Sequence, residues 1–300
     1  MNRETDPAPF GHVLTAMVTP FASDGKLDLA AAAELANDLV DLGNDGLIVN
    51  GTTGESPTTT DDEKQALVAE VVAAVGDRAR VIAGVGTNDT VHSQELARAA
   101  AAAGAHGALV VTPYYNKPPQ SGLLHHFQQV ADTTELPVML YDIPGRSGVA
   151  IEHDTLLRLA EHPRIVANKD AKGDVFAAQR VIAEADLAYY SGDDALVLPL
   201  LSVGAVGVVS VVGHLVADRL AAMIAAFQAG ELAEARIASH QLIPVVIGIM
   251  NRMQGAIAVK AALDMLERSG GGVLRSPLLA ADESQREQLR QDLRLGGFEL

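Results

Sequence analysis

Hydrophobic residues along this chain switch repeatedly between two periods. Short β-branched runs alternate with longer alanine- and leucine-rich segments in which apolar positions recur at helical spacing. The repeat is roughly 25 to 30 residues, the length expected of a βα unit. Eight runs predict strands: Val13 to Thr19, Gly46 to Asn50, Arg80 to Val85, Ala108 to Thr112, Val138 to Asp142, Ile165 to Lys169, Ala188 to Ser191 and Val206 to Val211. Helix starts between them are marked chemically, by Asp28 before Leu29 to Leu42 and by Thr60-Asp61-Asp62-Glu63 before Lys64 to Val75. Acidic groups in a first turn accept from free N–H groups and complement the helix dipole. Gly43, Gly76 and Gly104 follow helical stretches, where a left-handed C-cap suits a residue without Cβ.

Eight such alternations predict an α/β fold, a (β/α)8 TIM barrel, because closing the sheet protects both its edges. An open doubly wound sheet is the structural rival. After Phe227 the strand pattern stops, and Glu231 to Met250, Gln254 to Arg268 and Asp282 to Leu293 read as helices, with Gly270-Gly271-Gly272 as a loop among them. The expected division is a barrel over residues 1–229 and a C-terminal helical appendage over 230–300. Ala195 to Ala217 carries no formal charge with histidine neutral and would span a bilayer if it were one helix. Pro199, Gly204, Gly207 and Gly213 interrupt it and Val206 to Val212 is β-branched, so a short helix followed by a buried strand is expected instead.

Composition narrows the function. The 300 residues are 48% hydrophobic and 20% charged, enough apolar side chain for a sizeable core. A net charge of −16 and a pI near 4.8 oppose binding to nucleic acid or to an anionic membrane surface. Cysteine is absent, which removes disulfides, thiolate metal sites and a cysteine nucleophile. The polar, proline-containing stretch Met1 to Gly11 lacks the apolar core of an export signal, and a cytoplasmic location is expected.

In a (β/α)8 barrel the chemistry sits at the C-terminal ends of the strands. Lys169 closes the sixth predicted strand, whereas Lys26, Lys64, Lys117, Lys172 and Lys260 fall in predicted loops or helices. Desolvation in a barrel mouth would favour its free amine as a nucleophile toward a ketone. Taken alone, the residue reads first as a lysine snorkelling out of a strand end. Tyr141 is a candidate proton carrier and Thr53 a candidate relay to it, although a threonine pair between glycines is by itself most often a turn with a helix cap. Gly51 to Ser56 has the look of a phosphate cradle, but Glu55 stands where a P-loop needs lysine, so nucleotide binding is not expected. Arg146 follows a proline turn, where its planar fork could hold a carboxylate; a surface arginine is the alternative. Asp193-Asp194 has no histidine at ligand spacing and is expected to cap a helix. His125-His126 lies on a predicted helix, expected to face solvent, and no metal is expected.

Four motifs then stand in order at predicted strand ends: GTTGES at Gly51 to Ser56, TPYYNKP at Thr112 to Pro118, YDIPGRSG at Tyr141 to Gly148 and SGDD at Ser191 to Asp194. From about Leu14 to the last helices the chain resembles the dihydrodipicolinate synthase family of Schiff-base-forming class I pyruvate aldolases, with Lys169 at the place of the family's Schiff-base lysine. The resemblance implies condensation of pyruvate with aspartate 4-semialdehyde to 4-hydroxy-tetrahydrodipicolinate, in diaminopimelate and lysine biosynthesis, without a cofactor. It implies a relay of Tyr141, Thr53 and Tyr115, with Tyr115 supplied by the neighbouring subunit of a tight dimer. Thr52 would help hold the pyruvate carboxylate, Arg146 the semialdehyde carboxylate, and Gly192 and Val209 would line the pocket. The implied assembly is a homotetramer made of two tight dimers.

Sibling readings are another pyruvate-dependent aldolase or a 2-keto-acid dehydratase of the same barrel family, or a non-catalytic homologue. Arg146 favours the lysine-pathway enzyme, since sialic-acid lyases and sugar-acid aldolases generally need a hydroxyl-reading group there. Two departures from the family pattern stand out. Asn168 replaces the usual apolar residue before the lysine, and strand alternation turns it toward the helix layer, where an unpaired amide would cost about 1 to 3 kcal/mol. At the positions matching the family's lysine-effector site, Lys64 would repel a cation and His92 supplies no fixed negative charge, which predicts weak or absent inhibition by lysine.

Overall fold

The computed structural model describes residues 7–300, so part of the stretch Met1 to Gly11 lies outside the described residues. Eight strands close into one parallel barrel in sequence order: β1 Val13–Ala16, β2 Gly46–Val49, β3 Arg80–Gly84, β4 Gly107–Val111, β5 Val138–Asp142, β6 Ile165–Asp170, β7 Ala188–Ser191 and β8 Gly207–Ser210, which returns to pair with β1. The closed order removes the open-sheet rival. Each predicted strand is present with its ends moved by at most a few residues.

Alternation along the strands divides the core in two. Leu14, Ile48, Ile82, Leu109, Met139, Ala167, Tyr190 and Val209 point inward and fill the barrel, with Phe10 closing its lower end. Their neighbours, such as Val13, Leu47, Val81, Ala108 and Leu140, point outward against the helices. Those helices are α1 Leu29–Asp41, α2 Asp61–Val75, α3 Thr90–Ala102, α4 Gln120–Thr133, α5 Pro144–Ser147, α6 His153–Ala160, α7 Val175–Glu184, α8 Val197–Leu201 and α9 Gly213–Gln228. Asp28 caps α1 by accepting from the Ala31 N–H, and Thr60 and Glu63 form a reciprocal capping box on α2.

Gly43 and Gly104 adopt the left-handed conformation expected after a helix, at φ 106° and 87°. Gly76 does not, with φ −64°; a Cβ there would come within 2.6 Å of the Val72 carbonyl, so close packing is what requires glycine. His126 also departs from expectation. It is buried on the inner side of α4, with Nδ1 2.9 Å from the Thr90 hydroxyl, and only His125 is exposed.

The C-terminal segment continues as α10 Leu232–Val246, a π-helical turn Ile247–Asn251, α11 Gly255–Met265 and α12 Glu283–Leu295. Pro244, which lacks an N–H and crowds the preceding turn, sits just before the change to π geometry that the apolar pattern did not reveal. Leu242, Val245, Ile249, Val259, Leu263, Leu289 and Leu293 join the same apolar cluster as the barrel's helix layer. Ala195 to Ala217 resolves into α8, β8 and the start of α9.

Candidate active site

Tyr141 on β5 and Lys169 on β6 are register partners on adjacent strands, and both turn into the barrel mouth. The Lys169 Nζ lies 4.1 Å from the centre of the Tyr141 ring. Lys169 is 5% exposed. Burial draws its pKa from 10.5 down to about 8, with the Arg146 charge acting the same way and Asp194 opposing. Burial also pushes the Tyr141 phenol up to about 12, against the pull of Arg146 and of the Thr52 hydroxyl. The amine is therefore reactive while the phenol stays protonated. Gly192, just past β7, is closely packed: a Cβ there would stand 3.0 Å from the Lys169 Cγ and 3.0 Å from the Asp170 carbonyl. Val209 on β8 forms part of the buried inner wall.

Above Tyr141 opens a cavity of about 420 Å³ whose walls include Thr52, Asn88, Val111, Tyr114, Tyr141 and Arg146. Lys169 does not line this space itself; Tyr141 floors it. Arg146 projects from α5, the single turn begun by Pro144, with no carboxylate within ion-pair distance among the described residues. Thr53 is buried in the loop beside Thr52 and does not line the cavity. Tyr115 is not brought to the cavity within one chain: it is 89% exposed and held at φ 73°, a costly conformation for a bulky residue. Tyr114 lines the wall in its place.

Asp193 caps the short 3-10 turn Asp194–Leu196 by accepting from the Ala195 N–H, as a capping residue should. Asp194 does something else. It turns inward and accepts from the Val211 N–H at 2.9 Å, the Val212 N–H at 3.2 Å and the Ser210 hydroxyl, tying the end of β7 to the loop after β8. His214 makes a similar stitch, with Nδ1 2.8 Å from the Val211 carbonyl and Nε2 accepting from the Val18 N–H at 3.1 Å. Burial holds its pKa near 4, so the ring is neutral. Among the described residues no group of three or more His, Asp or Glu side chains is placed to hold a metal.

The threonine loop owes its shape to contacts that the sequence did not reveal. Glu55 is 2% exposed with φ 54°, and its carboxylate accepts from the Lys260 ammonium at 2.6 Å and from the Arg275 N–H at 2.9 Å. Arg275 also grips Glu63 through two N–H groups at 2.7 and 2.6 Å and donates to the Thr58 carbonyl at 2.9 Å. Both cations sit over the Phe21 ring. In this way the C-terminal segment latches the loop that carries Thr52 and Thr53.

A desolvated amine, a phenol against it and an unpaired guanidinium at the rim define a barrel mouth suited to condensing carbonyl compounds through a Schiff base. The model of the dihydrodipicolinate synthetase family matches residues 9–295. The chain is 61% identical over 298 residues to the 4-hydroxy-tetrahydrodipicolinate synthase of Acidothermus cellulolyticus, covering 99% of this chain and 96% of that protein. It is 62% identical to 4-hydroxy-tetrahydrodipicolinate synthase 2 of Streptomyces coelicolor, with 99% and 98% covered. The solved dihydrodipicolinate synthase of Bacillus anthracis superposes with a TM-score of 0.92 at 45% identity, over 95% of this chain and 98% of that one. A lysine-bound structure from Cyanidioschyzon merolae gives 0.93 at 42% identity, over 96% and 99%. The chain belongs to the dihydrodipicolinate synthetase family.

Proposed function

We propose that this protein is a lyase that condenses pyruvate with aspartate 4-semialdehyde to 4-hydroxy-tetrahydrodipicolinate, the step that serves diaminopimelate and lysine biosynthesis. The observation that carries this reading is the buried Lys169 amine, lowered to about 8, set against the protonated Tyr141 phenol. The amine attacks the pyruvate ketone, and Tyr141 delivers a proton to the departing oxygen as water leaves and the imine forms. Loss of a methyl proton gives the enamine, whose carbon bonds to the semialdehyde carbonyl. The semialdehyde amine then closes on the imine carbon and frees Lys169. Thr52 and Arg146 are taken to hold the two substrate carboxylates, Thr53 to relay protons, and Gly192 and Val209 to border the reacting carbon. No cofactor enters the scheme.

Tyr115 supports a shared site. A strained aromatic standing in solvent on its own chain suits a residue that completes the relay of a neighbouring subunit. A homotetramer of two tight dimers, located in the cytoplasm and without nucleic-acid or membrane partners, accords with the soluble biosynthetic character of the family. We take residues 230–300 as a helical appendage to a barrel of residues 1–229.

Borohydride reduction in the presence of pyruvate, followed by peptide mass mapping, should place the adduct on Lys169. An unmodified Lys169 would remove the Schiff-base reading. An adduct with no turnover of aspartate semialdehyde, but turnover of a sugar-derived 2-keto acid, would move the assignment to a sibling aldolase.

A further inference from the structure

The two strands that carry Tyr141 and Lys169 are charged on their other face as well. Asp142 and Asp170, the next residues along β5 and β6, are register partners in their turn and point outward beneath the helix layer. They are 0% and 3% exposed. Each carboxylate keeps one oxygen on a backbone N–H, Asp142 on Ile151 at 3.1 Å and Asp170 on Lys172 at 2.8 Å. The remaining oxygen of each faces a single ammonium: the Lys172 Nζ is 3.0 Å from Asp142 and 3.3 Å from Asp170. Burial lowers the pKa of Lys172, but the two carboxylates outweigh it and the net shift is upward. Asp142 is shifted upward by its burial, with Lys172 pulling back. Tyr189, the register partner of Asn168 on β7, completes the buried wall of this cluster.

Two adjacent parallel strands can slide or splay at their ends unless something beyond the ladder holds them. The β5–β6 ladder runs only one residue pair past the reacting pair, to Asp142 and Asp170 with the Ala171 N–H on the Asp142 carbonyl at 2.9 Å, and the two strands already shift register between Val138 and Met139. A carboxylate on each strand, drawn to one cation, opposes that freedom. Because Asp142 and Asp170 adjoin Tyr141 and Lys169 in the chain, the separation of the outer pair fixes the separation of the inner pair.

We propose that Lys172 is a positioning residue: by clamping Asp142 to Asp170 on the outer face of the sheet, it sets the Tyr141 phenol against the Lys169 amine on the inner face. The clamp touches neither substrate nor reacting atoms. It rests on the roles of Lys169 and Tyr141 given above. An arginine at 172 retains the function, since a guanidinium can bridge two carboxylates. A methionine does not.

The test separates the rate of imine formation from its extent. Wild type, Lys172→Met, Lys172→Arg and the charge-neutral Asp142→Asn/Asp170→Asn/Lys172→Met protein are mixed with pyruvate, quenched with borohydride at intervals and weighed by mass spectrometry, with thermal melts run alongside. Misfolding lowers the fraction of chains modified at long times. Mispositioning lowers the rate constant and leaves that fraction intact. Lys172→Met and the triple variant are expected to reach the wild-type extent at least tenfold more slowly, with Lys172→Arg within about threefold of wild type. If Lys172→Met is too unstable to assay, the triple variant, which buries no unpaired charge, decides the question. A folded triple variant reacting within twofold of wild type would overturn the clamp, as would an arginine variant no faster than the methionine one. Wild type that forms no adduct on Lys169 would remove the catalytic reading and the clamp with it, whereas normal wild-type reaction with unimpaired variants removes the clamp alone.

Discussion

The pH at which the amine of Lys169 becomes available is the sharpest quantity the site defines. A shift from 10.5 to about 8 leaves about a tenth of the chains with a free amine at pH 7, against about three in ten thousand for an unperturbed lysine. Imine formation is therefore expected to rise about tenfold per pH unit from 6 to 7, bend near 8 and level off above it. The assay is single-turnover reaction with pyruvate in a series of buffers, quenched with borohydride and read by mass. Removing the neighbouring positive charge with Arg146→Met is expected to move the bend upward, because Arg146 helps to lower the amine. The same shift bears on stability. An unfolded lysine binds its proton below about 10.5 and the folded one only below about 8, so stability falls as pH drops through that window and stays reduced below it. The deficit is about 3 kcal/mol at most, and Lys169→Met is expected to resist urea better than wild type at pH 7 while forming no adduct. A rate still climbing without a bend at pH 9.5 would refute the argument that burial activates this lysine.

Four further outcomes are expected. Asn168 is fully buried and its amide, beside the Tyr189 phenol, makes no well-formed hydrogen bond, so Asn168→Val should raise stability by about 1 to 3 kcal/mol in urea unfolding. Lys260→Met strands the Glu55 carboxylate and should cost about 3 to 5 kcal/mol, whereas Glu55→Gln/Lys260→Met should recover most of it; equal losses would mean the pair is not coupled. If Tyr115 serves the neighbour's site, co-expressed Tyr115→Phe and Tyr141→Phe chains should regain about a quarter of wild-type activity through mixed dimers that each hold one intact site, while each variant alone stays low. Lysine at millimolar concentration should leave the rate within about twofold, because His92 lies 2.9 Å from Asp61 and already occupies the carboxylate that an ammonium would seek; halving at that concentration would contradict this.

What could be read from the residues alone follows the range of the forces involved. Strands were legible because β-branched runs recur with a fixed period, and the inward or outward sense of Lys169 and Asn168 followed from alternation alone. Caps at Asp28 and Thr60 were legible because their partners are three residues away. Glu55 and Lys260, by contrast, are 205 residues apart. Each reads locally as a polar surface residue, and only the closed barrel with its C-terminal helices brings them together. His126 failed for a related reason: two adjacent histidines on a helix point about 100° apart, so no common environment could hold for both. Asp194 had the sequence of a helix cap, and its neighbour took that role, leaving it free to bind the backbone N–H groups of Val211 and Val212 in the loop after β8.

Asn168 does not disturb Lys169 through any shared bond, for the two side chains leave β6 on opposite faces. Its companions on that outer face are Asp170, Asp142, Tyr189 and Lys172, so the amide is one member of a polar layer behind the site. Such a layer is costly to bury, and its one strongly paired feature is the ion contact between the ends of β5 and β6. Hydrophobic packing on that face would stabilise the barrel equally well but would lack a directional contact between the two strand ends. A directional charge contact at the end of the ladder restricts their motion where a phenol and an amine must meet, which is why the Asn168 and Lys172 substitutions should separate: the first alters stability, the second the rate of imine formation.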